Sequence, residues 1–149
     1  MSAKATQIVD EVIERLGEIS TEEGYLTDLQ EPVIGDDPVL YMDQHHALPL
    51  VGVRNQTDRL TTQSQGASLQ SRTIEVVAYV RRDEEGRQNQ DALLQDIYRT
   101  LFRPGGIKYQ GLVVTLEAGD AQLDDAELGS RLLPIYLPIT FTYNTLNWR

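Results

Sequence analysis

Cysteine is absent from this 149-residue chain, so no disulfide and no thiolate metal site holds its fold and no thiol can act as a nucleophile. That absence suits assembly in a cytosol-like compartment. Histidine is almost as scarce: the only two are neighbours, His45 and His46, beside Asp43. Adjacent side chains on extended backbone point to opposite faces, so the pair reads as loop histidines rather than a metal site. No apolar run approaches the roughly 20 residues of a membrane-spanning helix. Met1 to Thr6 lacks the charged-then-apolar layout of a secretory signal. Basic residues are outnumbered, 13 against 23 acids, for a net charge of −10. A duplex-binding module presents a basic patch, and the clusters at Arg81-Arg82 and Arg99/Arg103 are both flanked by acids.

Reaction chemistry is also missing from the motifs. Pro104-Gly105-Gly106 has neither the spacing nor the strand-then-helix setting of a phosphate-binding loop. No Gly-x-Ser-x-Gly elbow exists, and Ser64, Ser68 and Ser71 sit in a polar stretch without a strained turn. Asp36/Asp37 and Asp124/Asp125 do not follow the calcium-loop pattern and read as solvated turns. The expectation is a protein without catalytic residues, cofactor or metal.

What the chain does contain is a scaffold. From Leu133 to Tyr143 every odd position is large and apolar, while the even ones are Pro134, Tyr136, Pro138, Thr140 and Thr142. Side chains alternate across a strand, so this segment lays a continuous apolar face on a core. A slip of one residue would turn that face to water, which fixes the register. Pro134 and Pro138 cannot donate to a ladder, and their shared parity predicts an edge strand or a bulge.

Along the chain, residues 5–19 form an amphipathic helix with Ile8, Val9, Val12, Ile13, Leu16 and Ile19 on one side. Residues 25–47 are irregular, with a short strand or loop anchor at Val39-Leu40-Tyr41-Met42. Leu48–Arg54 and Arg72–Arg81 are strands by β-branched content. Between them, residues 55–71 are polar and predict a long loop, either an arm that orders against another subunit or a floppy surface loop. Asn89 is the expected N-cap of a second helix bearing Leu93, Leu94, Ile97, Tyr98, Leu101 and Phe102, ended by Pro104-Gly105-Gly106. Ile107–Tyr109 and Leu112–Leu116 are shorter strand candidates, followed by an acidic connection over 117–129. Trp148 is expected on the core rim or against a neighbour. The whole predicts one domain over 1–149, an α+β fold with a four- to five-stranded, mostly antiparallel or mixed sheet and two helices packed on one face.

The order of these elements resembles a known family. The helix Ile8-Val9-Asp10-Glu11-Val12-Ile13-Glu14-Arg15-Leu16 precedes a Gly24-Tyr25 turn. Pro49-Leu50-Val51-Gly52-Val53, a polar excursion and Arg72-Thr73-Ile74-Glu75-Val76 follow. The helix with Asp96-Ile97-Tyr98-Arg99-Thr100-Leu101 precedes the closing strand Ile139-Thr140-Phe141-Thr142-Tyr143. This arrangement is similar to the tail-terminator (minor tail) proteins of long-tailed bacteriophages, over nearly the full length and by order and pattern.

The resemblance implies a virion protein of the tail and neck, assembled in the host cytoplasm. Its copies would close into a ring, a hexamer by the family pattern, on the tail tube. That ring would stop tube polymerisation and present a surface to the head–tail connector. DNA would pass through unbound, and no membrane would be involved. A head-completion or connector neck protein is the alternative; a small enzyme or ligand-binding domain is a third. A closed ring needs two complementary patches on each subunit. The candidates are Arg59, Leu60, Thr62, Gln65 and Leu69 in the polar stretch, with Tyr136, Pro138 and Trp148 near the end. Glu117, Asp120, Asp124 and Asp125 are the candidate lumen-facing acids, where like charge would keep a phosphate backbone from adhering.

Overall fold

The computed structural model describes residues 3–41, 47–64, 67–103, 108–125 and 131–146. Two helices and four strands alternate in the order α1 (Lys4–Leu16), β1 (Leu50–Ser64), β2 (Ala67–Arg81), α2 (Gly86–Leu101), β3 (Thr115–Ala118) and β4 (Leu132–Leu146). The strands form one antiparallel sheet in the order β1-β2-β4-β3. Both helices lie on one face of it, giving the expected α+β architecture. No described helix is long and apolar enough to cross a membrane.

The odd positions of β4 carry the core as their alternation predicts: Ile135, Leu137, Ile139 and Phe141 are fully buried and Tyr143 nearly so. They join Ile74, Val76 and Ala78 of β2, Val51 and Val53 of β1, and the apolar stripes of the helices. Ile8, Val12 and Leu16 of α1 and Leu93, Ile97 and Leu101 of α2 form those stripes. Burial of each such side chain stabilises the fold by about 1.5–3 kcal/mol. Thr100 Oγ1 donates to Arg15 O at 2.8 Å, pinning the helices together.

Where a long polar loop is expected over 55–71, residues 55–64 and 67–71 are instead β-structure. β1 and β2 pair from Leu50↔Tyr79 to Ser64↔Ala67, with register shifts between Asn55 and Thr57 and between Leu60 and Thr62. A ladder is made by backbone, so polar side chains do not prevent it, and threonine favours extended chain.

β4 is not an edge strand either: β2 pairs along its whole length, and β3 covers Ile139–Thr142 on the other side. The prolines are accommodated by parity. Even residues of β4 turn their backbone groups away from β2, as the mutual bonds of Tyr136 with Gln122 show. The donors missing at Pro134 and Pro138 are therefore missing on that side. Their carbonyls are used there, Pro138 O accepting from Gly119 N at 2.8 Å and Pro134 O from Gln90 Nε2 at 2.7 Å.

Smaller departures have local causes. α1 stops at Leu16 with Gly17 as its C-cap, while Gly24, at φ +86, ends a short 3-10 turn over Thr21–Glu23. α2 begins at Gly86, not after Asn89, because Asp83 turns the chain earlier by accepting from Glu85 N and Gly86 N. Pro38–Tyr41 is a 3-10 turn whose Val39 N is taken by the Asp37 carboxylate, not a strand. In place of a strand at Ile107–Tyr109, Lys108–Gly111 is a 3-10 turn, with Ile107 outside the described residues. Tyr109 there has φ 46 and is buried under the Arg15 guanidinium, 4.1 Å from its ring centre. β3 starts at Thr115, later than the predicted Leu112.

Candidate assembly surfaces

The segment after α1 begins on the helix-bearing side and passes the β1 edge at Ile34 to reach the opposite face of the first half of the hairpin. Asp96, buried in α2, accepts from Leu26 N, Thr27 N and Thr27 Oγ1, the last at 2.6 Å, fixing the start of that segment. Farther on, Ile34 pairs in parallel with Gly52, donating to Val51 O and accepting from Val53 N. A Cβ at Gly52 would stand 2.0 Å from Asp36 O, so the contact requires glycine.

This fold-back delivers Asp37 to a polar network at the sheet. Tyr79 Oη donates to Asp37 Oδ1 at 2.8 Å, and Arg54 bonds Glu75 and lies 3.5 Å from Asp37. Gln56 Nε2 donates to the second Glu75 oxygen at 2.9 Å. Partial burial works against the Arg54 charge, but the Glu75 bond and the two carboxylates outweigh it and hold its pKa above the ordinary value. Burial, reinforced by Asp37, pushes the Tyr79 phenol strongly up. Tyr79 meets Tyr136 edge-on at 6.3 Å, and Tyr136 Oη donates to Asp125 Oδ2 at 2.8 Å. The carboxylates here are engaged by cations and phenols, an arrangement that fixes a loop to a sheet.

Beyond Val53 the buried apolar residues of β1 end, yet the strand continues to Ser64. A second polar cluster holds this extension on the helix-bearing face. Asp58 accepts from Gln70 Nε2, Arg72 Nε and Tyr143 Oη at 3.0, 2.8 and 2.9 Å. Burial would raise the Asp58 pKa, but these three donors and the Arg72 charge hold it below the ordinary carboxylate value. Burial and then Asp58 push the Tyr143 phenol up to about 12. On the other face lie two cross-strand rows rich in short hydroxyl side chains: Thr57, Thr73 and Thr140 ending at Glu117, and Ser71, Thr142 and Thr115 beginning at Arg59. Thr73 and Thr140 share a hydroxyl bond at 2.9 Å.

No protein-family model matches this chain. No curated protein matches it either. The candidates must be weighed by placement alone. Arg59 and Leu60 sit exposed on β1, the outer strand at one side of the sheet. Glu117 is exposed on β3, the outer strand at the other. Thr62 pairs with Leu69 in the ladder, and Leu69 lies on interior strand β2, half-buried. Gln65 and Trp148 fall outside the described residues, as do His45 and His46.

Tyr136 and Pro138 belong to interior strand β4, Tyr136 engaged with Tyr79 and Asp125 and Pro138 with Gly119. Both are half-buried on the face away from the helices. Among the acids, Asp120 and Asp124 are exposed and Asp125 is tied to Tyr136. The sequence reading passed over Arg54, Glu75 and Asp58; a lone acid inside Ile74–Val80 is the signal that pointed to Glu75. An open groove of about 320 Å³ lies between Leu26–Asp28, Leu48-Pro49 and the start of α2. Its acids are engaged in turns, Asp28 by Thr21 and Asp83 by Glu85.

Proposed function

We propose that this chain is a structural ring subunit that closes the end of a phage tail tube and joins it to the head connector. The observation that carries the reading is the polar half of the β1–β2 hairpin. There the ladder runs about ten residues past the last buried apolar residue of β1, Val53, held by hydrogen-bonded side chains instead of a core. An ordered polar extension adds little to the monomer's hydrophobic stability, so its use lies in what it meets. The resemblance to tail terminators supplies the partner, a tail tube, and the net charge of −10 suits a passage for DNA. Arg59 and Leu60 are the contact residues retained from the sequence; Glu117, expected among the lumen-facing acids, joins them from the outer strand β3, and Asp120 and Asp124 are the remaining exposed acids for a lumen, Asp124 lying 4.0 Å from Arg82.

Mass measurement of the purified protein should give a cyclic oligomer, six copies by the family pattern. Added to polymerising tube subunits, it should leave shorter, capped tubes. A protein that stays monomeric with tube subunits present overturns the reading. A ring that leaves tube length unchanged moves the assignment to the connector side of the neck.

A further inference from the structure

We propose that copies of this chain join edge to edge into one continuous antiparallel sheet. The open edge of β1 over Asp58–Leu60 pairs with the outer edge of β3 over Leu116–Ala118 of the next copy, in the register that sets Arg59 opposite Glu117. The proposal deepens the ring reading above by naming its contact.

Four features support it. First, β1 and β3 are the outer strands, and among the described residues neither has a strand on its outer side beyond the Ile34 bridge at Gly52. Second, an even number of strictly alternating strands makes β3 of one copy run opposite to β1 of the next when both present their helices on the same side. Head-to-tail addition therefore continues the sheet without a parallel junction, and it is a heterologous contact of the kind that closes rings.

Third, the backbone groups match. Odd residues of β4 bond toward β2, so Ser71 and Thr73 of β2 bond toward β1, and Thr57 and Arg59 bond inward. Asp58 and Leu60 are left with N–H and C=O outward. On β3, Gly119 N bonds Pro138 O, which leaves Leu116 and Ala118 facing outward. Setting Arg59 against Glu117 brings Leu60 opposite Leu116 and Asp58 opposite Ala118, so these outward donors and acceptors meet one another.

Fourth, the side chains agree with that register. Arg59 and Glu117 are exposed on the face away from the helices, with opposite charges. Leu60, 41% exposed, shares the helix-bearing face with half-buried Leu116. Sliding by two residues would place Asp58 or Ala118 against a leucine and separate the charges. The register shifts on either side of Thr57–Leu60 limit the regular run to four residues, of which Asp58–Leu60 face Leu116–Ala118 of the short strand β3. Each such contact is small, and ring closure makes the last one intramolecular, which strengthens the set.

A chain without cysteine allows a clean test. Facing residues in such a non-hydrogen-bonded pair have Cα atoms about 4.5 Å apart, within disulfide reach. Within one subunit the two positions lie on opposite sides of the sheet, about 14 Å apart at three strand spacings, out of reach. Under mild oxidation, Arg59→Cys mixed with Glu117→Cys should give disulfide-linked dimers, each alone should stay unlinked, and the double variant should give a ladder ending at the ring number. Separately, Arg59→Glu should weaken assembly by about tenfold, and Arg59→Glu with Glu117→Arg should restore it.

Self-linking of Arg59→Cys alone would mean two β1 edges meet and would overturn the proposal. Unoxidised rings of full mass without mixed links would overturn it while leaving the ring reading intact. Mixed links in a protein that does not limit tube length would uphold the contact and overturn the tail-tube role. A monomer under all conditions would overturn both.

Discussion

Asp58 shows how one carboxylate organises the polar half of the hairpin. Three donors converge on it from β2 and β4, so its ionised form is favoured in the folded chain. Its folded pKa lies below the ordinary 3.8, so its contribution is complete above that value and is lost as pH falls through the folded pKa. Acid titration of stability should therefore show a component below about pH 4 that Asp58→Asn removes. Tyr143→Phe, which withdraws one donor, should shrink that component and cost about 1 kcal/mol at neutral pH in denaturant unfolding. Gly52 makes the complementary case of a residue that must have no side chain. Gly52→Ala forces the Asp36 backbone away and should cost about 1–3 kcal/mol, with the Tyr79–Asp37 bond weakened. A thermal melt indistinguishable from the parent would show that the fold-back yields freely.

Among the elements, β4 and the two helices were legible because each writes its packing in a simple period. The odd residues of β4 and the three-and-four spacing of Ile8, Val12 and Leu16 are local patterns that burial obeys. The distal hairpin follows no such pattern. What pairs there is Asp58 with Arg72 and Thr73 with Thr140, partners 14 and 67 positions apart, and no window of sequence displays that relation. Proline in β4 misled for a related reason: it signals a side of the strand where no donor is required, and an interior strand can have such a side. Arg59, Leu60 and Glu117 stand on the outer strands of the sheet, while the Tyr136 phenol answers to Asp125, a partner the strand pattern does not contain. The core strand is the point where the fold should be most sensitive. Ile139→Ala, at a fully buried site in register with Ile74, should cost about 2–5 kcal/mol in denaturant unfolding, well above any truncation at exposed Thr57.

At the scale of the molecule, ten net negative charges per copy oppose any assembly of copies. If exposed Arg59–Glu117 contacts were the dominant electrostatic term, salt would dissolve the ring. The net self-repulsion is larger, because the acids outnumber the bases 23 to 13. Raising ionic strength from about 0.01 to 0.15 M shortens the screening length from roughly 30 to 8 Å. The oligomer should accordingly form at lower protein concentration in the higher salt, as read by sedimentation, and dissociation by salt would reverse this balance.

The two register shifts that bracket Thr57–Leu60 bear on solubility as well as on contact. A strand left open along its full length is a template on which any extended peptide can grow, and stacked copies can zip into fibrils. Here the bends at either end act as stops on a short ruler: a visitor finds four regular residues and then a chain that turns away. Such a margin can stay exposed because it fits a short, matching insert and offers a longer one no purchase.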